Sequence, residues 1–385
     1  MKTPRNPAPS QHHWNKTLAR HIRQPISIFF DIDLAATRLR TYTAPMNPIA
    51  HLVSPTSSAT EQLAAFCKAT GDALRLDILR VLRNDSFGVL ELARIFAMRQ
   101  SGMSHHLKVL ANAGLVSTRR EGNSIFYRRS LPDTGQPWYG VHSQLLDGLD
   151  ALPLEPALIE AITDVHSQRA DLSRQFFARF TDGTPAQQDL IAHFGLYREP
   201  LLSLIDGLAL PAHALALEVG PGEGGFLPDL ASRFEKVVGL DNAPSMLDRA
   251  RQQCAEAGLT NVECLLADAL LPQPLAPADC LVCNMVLHHM PAPAEALKRF
   301  TSLIKPGGSL ILTELCSHNQ SWVRDTCGDL WLGFDQLDLS YWAGEAGLVP
   351  GNSLYIGLRN GFQIQLQQFS KPIIDNLFPT EGTAA

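Results

Sequence analysis

Long apolar runs, cysteine and net positive charge are what this sequence has little of. No apolar run approaches the roughly 18–20 residues that cross a bilayer, so no membrane span is expected. The one early apolar patch, residues 26–30, is too short for a signal peptide and runs into Asp31. Seven cysteines in 385 residues are odd in number and scattered. That speaks against a disulfide framework and suits reduced thiols in a cytoplasm. Cys280 and Cys283 form a CxxC, but inside a strand-like run, where i and i+3 point to opposite faces. They read as core cysteines rather than as a redox or metal pair. The net charge of −6, taken alone, argues against a nucleic-acid partner.

The distribution of charge reverses that inference. Residues 61–131 hold eleven Lys and Arg against six Asp and Glu, so a basic module is joined to an acidic one. With 45% apolar residues the chain has room for two or three domains with ordinary cores. Residues 1–45 stand apart. Pro4, Pro7, Pro9 and Pro25 punctuate a stretch with no sustained period, which is expected to be poorly ordered. Met46 opens a more ordinary start, and translation from there would make the extension a start-site artefact.

Helical periods follow. Leu63, Phe66 and Cys67 share one face; beyond Gly71, Asp72 can cap a second helix carrying Leu74, Ile78, Leu79 and Leu82. Residues 89–96 continue the period, and a break at Met98-Arg99 leads into residues 100–113. There Met103, Leu107 and Leu110 form a buried stripe, and Gln100, Ser101, Ser104, His105 and Lys108 share the opposite face. Residues 115–119 and 125–129 alternate as strands about the turn Glu121-Gly122-Asn123. Two helices with a tight break, a polar-faced second helix and a basic hairpin describe a winged helix-turn-helix. Its hydroxyls and amide would reach base edges, while Lys108 and the wing residues Arg119 and Arg120 would meet phosphates. A solvated helix face beside a charged hairpin fits the same periodicity. His105 and His106, adjacent on a helix, point about 100° apart and make a poor chelate.

Residues 69–129, through GDALRLDIL, SHHLKVL, AGLV and RREGNSIFYR, resemble the ArsR-type winged helix-turn-helix family. The resemblance implies a homodimer in a bacterial cytoplasm that binds a double-stranded DNA operator, usually as a repressor released by a ligand. One departure matters. Many members carry a pair of cysteine metal ligands before the turn, and SFGVLEL at residues 86–92 has none, so no metal is expected. Gly102 early in the recognition helix costs about 1 kcal/mol relative to alanine; it lets the backbone approach DNA or is simply tolerated there.

Residues 132–210 read as a helical connector, with runs at 141–149, 157–180 and 187–208; the 157–180 run is expected to pack on the winged helix, on the other subunit or over the glycine-turn pocket, and is assigned to dimerisation or coupling. From 211 to 370 strands and helices alternate, the mark of a parallel sheet with helical crossovers. The strands fall at 214–219, 236–240, 262–266, 280–284 and 309–315, with a closing antiparallel pair at 353–355 and 362–367; residues 371–385 form a tail. After the first strand comes a glycine turn. Gly220, Gly222 and Gly225 satisfy the dinucleotide fingerprint, while Glu218 with Gly220, Gly222 and Gly224 satisfies the S-adenosylmethionine form. Asp241 ends the next strand, where a carboxylate accepts from ribose hydroxyls.

With LLADAL, CLVCNMVLHHM, LIKPGGSLILTEL and the trailing antiparallel pair, about 150 residues resemble the class I S-adenosylmethionine-dependent methyltransferases. The expected architecture is therefore an α+β winged helix-turn-helix followed by an α/β Rossmann-like domain with a mostly parallel seven-stranded sheet. By that resemblance Glu218, Gly220, Gly222 and Gly224 meet the methionine and ribose parts of the cofactor. Asp241 holds the ribose hydroxyls, Asp268 the adenine amino group, and Asn284 lies near the sulfonium. Close packing or helix capping is the plainer role of each. No catalytic residue declares itself. His288, His289 and Glu314 stand where a base could be, yet recur as scaffold; Cys316 and Cys327 lack the pattern of arsenite methylation. Trp322, Trp331 and Trp342 wall an aromatic acceptor site or pack a lid. Two functions follow: a regulator whose second domain senses S-adenosylmethionine or S-adenosylhomocysteine, or a working methyltransferase with a DNA-binding domain attached. The first is favoured, because the DNA-binding half is whole and a ligand-binding domain stands where the metal ligands are missing.

Overall fold

The structure is a computed structural model that describes residues 27–31, 40–42, 58–121, 124–178 and 190–373. It begins with two short strands, β1 (Ser27–Asp31) and β2 (Arg40–Tyr42). The first unit comprises α1 (Ala59–Thr70), α2 (Ala73–Val81), β3 (Phe87–Gly88), α3 (Val89–Ile95), α4 (Gln100–Asn112), β4 (Val116–Glu121) and β5 (Ser124–Arg129). Local chemistry sets its starts. Ser58 and Glu61 form a reciprocal capping box on α1, and Asp72 accepts the Arg75 amide to cap α2.

Met103, Leu107 and Leu110 of α4 are fully buried with Ile78, Leu79, Leu82 and Phe87 in one core. On α1 the buried residues are Phe66 and Ala69; Leu63 and Cys67 are exposed, so that face is narrower than its periodicity implied. β4 and β5 pair antiparallel from Val116↔Arg129 to Glu121↔Ser124. Residues 122–123 of the expected turn lie outside the described residues.

α5 (Tyr139–Asp150) and α6 (Pro156–Phe177) follow. Leu146 and Leu149 of α5 and Val165 of α6 are buried in the winged-helix core, so much of the connector belongs to that unit. Next come α7 (Arg198–Asp206), β6 (Leu215–Val219), α8 (Leu227–Ala231), β7 (Lys236–Asp241), α9 (Pro244–Glu256), β8 (Val262–Leu266) and β9 (Ala278–Asn284). The chain then runs through α10 (Pro293–Ser302), β10 (Ile304–Leu315), α11 (Trp322–Cys327), α12 (Gln336–Glu345), β11 (Val349–Gly357) and β12 (Gln363–Ser370).

The sheet order is β2-β1-β11-β12-β10-β9-β6-β7-β8. The five strands from β10 to β8 are parallel, and β12 runs antiparallel between β10 and β11. These are the seven strands expected. Two more join the edge from residues 1–45: β1 pairs parallel with β11, and β2 antiparallel with β1. The Met46 start and tail residues 374–385 lie outside the described residues. Cys280 and Cys283 are both fully buried, in the two cores on opposite faces of β9, as their spacing required. Among the described residues no helix is long and apolar enough to cross a membrane.

Candidate nucleoside pocket and nucleic-acid face

Strand order reverses at β6, which lies between β7 and β9, and ligands bind α/β sheets at the carboxyl ends of strands at such a point. A cavity of about 460 Å³ lies there. Glu218, Gly220, Gly222, Asp241, Asp268 and Asn284 all line it. Gly224 does not. A Cβ there would stand 3.0 Å from Ala250 Cα, at φ +86°, so this glycine serves the approach of α9. Gly225 lines the cavity in its place.

The strands deliver the polar groups. Asp241 ends β7, and its Oδ1 accepts the Ala243 amide at 2.8 Å. Asp268, just past β8, accepts the Leu270 amide at 2.9 Å. Both carboxylates thus hold a turn and also face the cavity. Asn284 accepts from Thr313 Oγ1 at 2.9 Å, which aims its Nδ2 at Glu218 Oε1, 3.4 Å away. Glu218 is 2% exposed, and its Oε2 has no hydrogen-bond partner among the described residues. Burial pushes its carboxyl up to about 8; Asn284 opposes this and Asp241 adds to it. Burial also raises Asp241, against the backbone amides of Ala243, Gly222 and Asn242. These acceptors fit a ligand that would donate from an ammonium to Glu218, from vicinal hydroxyls to Asp241 and from an exocyclic amine to Asp268.

The far wall follows one of the three placements open to the 157–180 run, over the pocket. It comes from Ser173, Phe176 and Phe177 of α6 and from His193, Phe194 and Tyr197 before α7. No local motif marks these residues, because tertiary packing alone brings the connector to the strand ends. His289 is the only one of the three suspected bases that lines the cavity. It meets Phe177 edge-on at 4.9 Å. Burial, then the neighbouring His288, hold its ring well below the usual imidazole range. His288 is fully buried against Glu314 at 2.7 Å; burial opposes its charge, but Glu314 and Asp329 outweigh that and bring it to about 9. None of the three tryptophans lines this cavity. Trp331 donates to the Met290 carbonyl and packs on Phe126 of β5, so it joins the two units instead.

On α4, Gln100, Ser101, Ser104, His105 and Lys108 are all exposed, as is Arg120 on the wing. Arg119 is turned elsewhere: its Nη1 donates to the Gly333 carbonyl at 2.7 Å. Arg128 of β5 pairs with Asp338 of α12. One face of the wing is therefore docked on the Rossmann-like unit, because β-strand neighbours alternate between faces.

These features define a winged-helix unit built onto a nucleoside-type Rossmann-like domain. Residues 72–118 match the family model described as bacterial regulatory protein, arsR family, and residues 217–312 match that of the methyltransferase domain. The chain carries an ArsR-family helix-turn-helix and a methyltransferase domain in one polypeptide. It is 46% identical over 78 residues to the HTH-type transcriptional regulator NmtR of Mycobacterium tuberculosis, covering 20% of this chain and 63% of that protein. It is 33% identical over 148 residues to a ubiquinone biosynthesis O-methyltransferase of Paracidovorax citrulli, covering 37% and 62%. It is 36% identical over 113 residues to a trans-aconitate 2-methyltransferase of Methylobacterium radiotolerans, covering 29% and 42%. The chain thus spans between 42% and 63% of the length of these relatives.

Proposed function

We propose that the protein is a DNA-binding transcriptional regulator, a repressor acting as a homodimer, whose methyltransferase domain binds S-adenosylmethionine or S-adenosylhomocysteine as effector. One observation carries this reading. The single helix α6 buries Val165, near its middle, in the winged-helix core and walls the cavity with Phe176 and Phe177 at its C-terminal end. A ligand packed on the last turn of α6 therefore bears on the unit that holds the recognition helix. Docking of the wing through Arg119 and Arg128 gives that unit something to lose or gain. The ligand needs to distinguish two arrangements by only about 1–3 kcal/mol to change operator affinity 5–150-fold.

The test is operator affinity, measured by fluorescence anisotropy on a duplex selected from randomised DNA, with and without each nucleoside. A change of at least about tenfold is expected. Equal affinity in all three conditions, together with methyl transfer to a cell-extract component, would establish the enzyme instead.

Glu218 adds a pH signature. Below pH 8 its carboxyl holds a proton in the folded protein. A ligand ammonium favours the carboxylate, so binding expels that proton and affinity rises with pH. The expected slope for S-adenosylhomocysteine is roughly tenfold per pH unit between about 6 and 8, flattening above. Calorimetry of Glu218→Gln should show no such slope.

A further inference from the structure

The 3-10 turn Leu287–His289 after β9 sets two histidines side by side. Their ring centroids are 4.1 Å apart, against 5.8 Å for His105 and His106 on α4. Facing them, just past α11, is Asp329, which is 3% exposed. One ligand atom from each of His288, His289 and Asp329 lies within 4.8 Å of the other two, and all three residues are buried. The amides of Leu330 and Trp331 donate to the His288 carbonyl, which ties the two loops together.

Both rings are held from behind. Nδ1 of His288 is 2.7 Å from Glu314 Oε2, and Nδ1 of His289 is 3.2 Å from the Gly328 carbonyl. An acceptor at Nδ1 fixes a proton there and directs Nε2 to an ion, which at His288 takes the place of the second ring proton. A carboxylate or carbonyl in that position is the usual support of a metal-ligating imidazole. Nε2 of His288 stands 3.8 Å from Asp329 Oδ1. Tetrahedral ligands at 2.0–2.1 Å from an ion are about 3.4 Å apart, so closures of about 0.4 Å for this pair and at most about 1.4 Å for the others complete the set.

We propose that His288, His289 and Asp329 bind one divalent transition-metal ion in the wall of the cavity. Two imidazoles and one carboxylate suit Zn²⁺, Fe²⁺ or Co²⁺ and not Mg²⁺ or Ca²⁺, which take oxygen ligands. Three protein ligands leave a coordination position open, and His289 itself lines the cavity. The ion stands whether the nucleoside is sensed or consumed.

Chelator-stripped full chain titrated with Co²⁺ tests this. One equivalent should bind with visible ligand-field absorption that Zn²⁺ abolishes by displacement. Asp329→Asn and His289→Gln should each lose the absorption, Glu314→Gln should weaken binding about 10–100-fold, and the double variant His105→Gln/His106→Gln should bind normally. Circular dichroism identifies any variant that fails to fold; His289→Gln, at the cavity surface, decides if Asp329→Asn does so. No Co²⁺ binding by the unaltered protein, or unchanged binding by folded His289→Gln, overturns the site. His288 is then a buried cation shared by Glu314 and Asp329.

Discussion

Asp241→Ala is expected to weaken S-adenosylhomocysteine binding by at least about a hundredfold and to abolish any effect of the nucleoside on operator affinity. Asp241 ends β7 with its Oδ1 oriented by the Ala243 amide, and it lines the cavity. A carboxylate receiving two ribose hydroxyls makes two hydrogen bonds to a charged group, each worth about 1.5–3 kcal/mol. Their joint loss, about 3 kcal/mol or more, is a factor of a hundred or more in affinity. Asp241→Asn keeps the shape and one acceptor, so its loss should be smaller. DNA affinity of the ligand-free variant should equal that of the unaltered protein, since α4 packs in a separate core. Calorimetry with the nucleoside and anisotropy with the operator read the two effects independently. Unchanged nucleoside affinity would remove the assigned pocket.

Arg169→Ala should lower stability by about 3–5 kcal/mol and disconnect nucleoside binding from DNA binding. Arg169, on α6, is 6% exposed. Its guanidinium donates to both Glu91 oxygens, to the Ser86 carbonyl and to the Pro291 carbonyl. It lies 4.8 Å from the Trp331 ring centroid and 5.0 Å from that of Phe87. One side chain thus joins α3, the strand before it and the loop that follows His289. Deleting it leaves the Glu91 carboxylate partly buried without its partner, and a buried charge stripped of its partner is the costly case. Lysine is a point charge without the planar fork, so Arg169→Lys should rescue only part of the loss. Urea unfolding gives the stability change. Nucleoside affinity should fall less than the ratio of operator affinities with and without ligand, because Arg169 itself does not line the cavity. Retention of that ratio would exclude α6 as the coupling element.

Most of both folds was legible from local pattern. Asp72 as a cap, the Met103, Leu107 and Leu110 stripe and the alternation around β6 to β9 are each decided within a few residues. The glycine turn and the two strand-end aspartates were placed for the same reason: a strand carries the chemistry of the turn that ends it beside it. Gly224 lies off the cavity lining: positive φ serves a helix's approach as well as a ligand's, and sequence does not separate them.

What the sequence by itself determined, then, was a winged helix joined to a methyltransferase-type sheet, and the strand-end half of its cavity. The tertiary structure decided the other half of that cavity, the docking of the wing and the grouping of His288, His289 and Asp329. Arg119 meets a carbonyl 214 residues away, and Arg169 one 122 residues away. Such contacts obey no local period. They exist only once two separately patterned cores have packed and the surface between them has been removed from water.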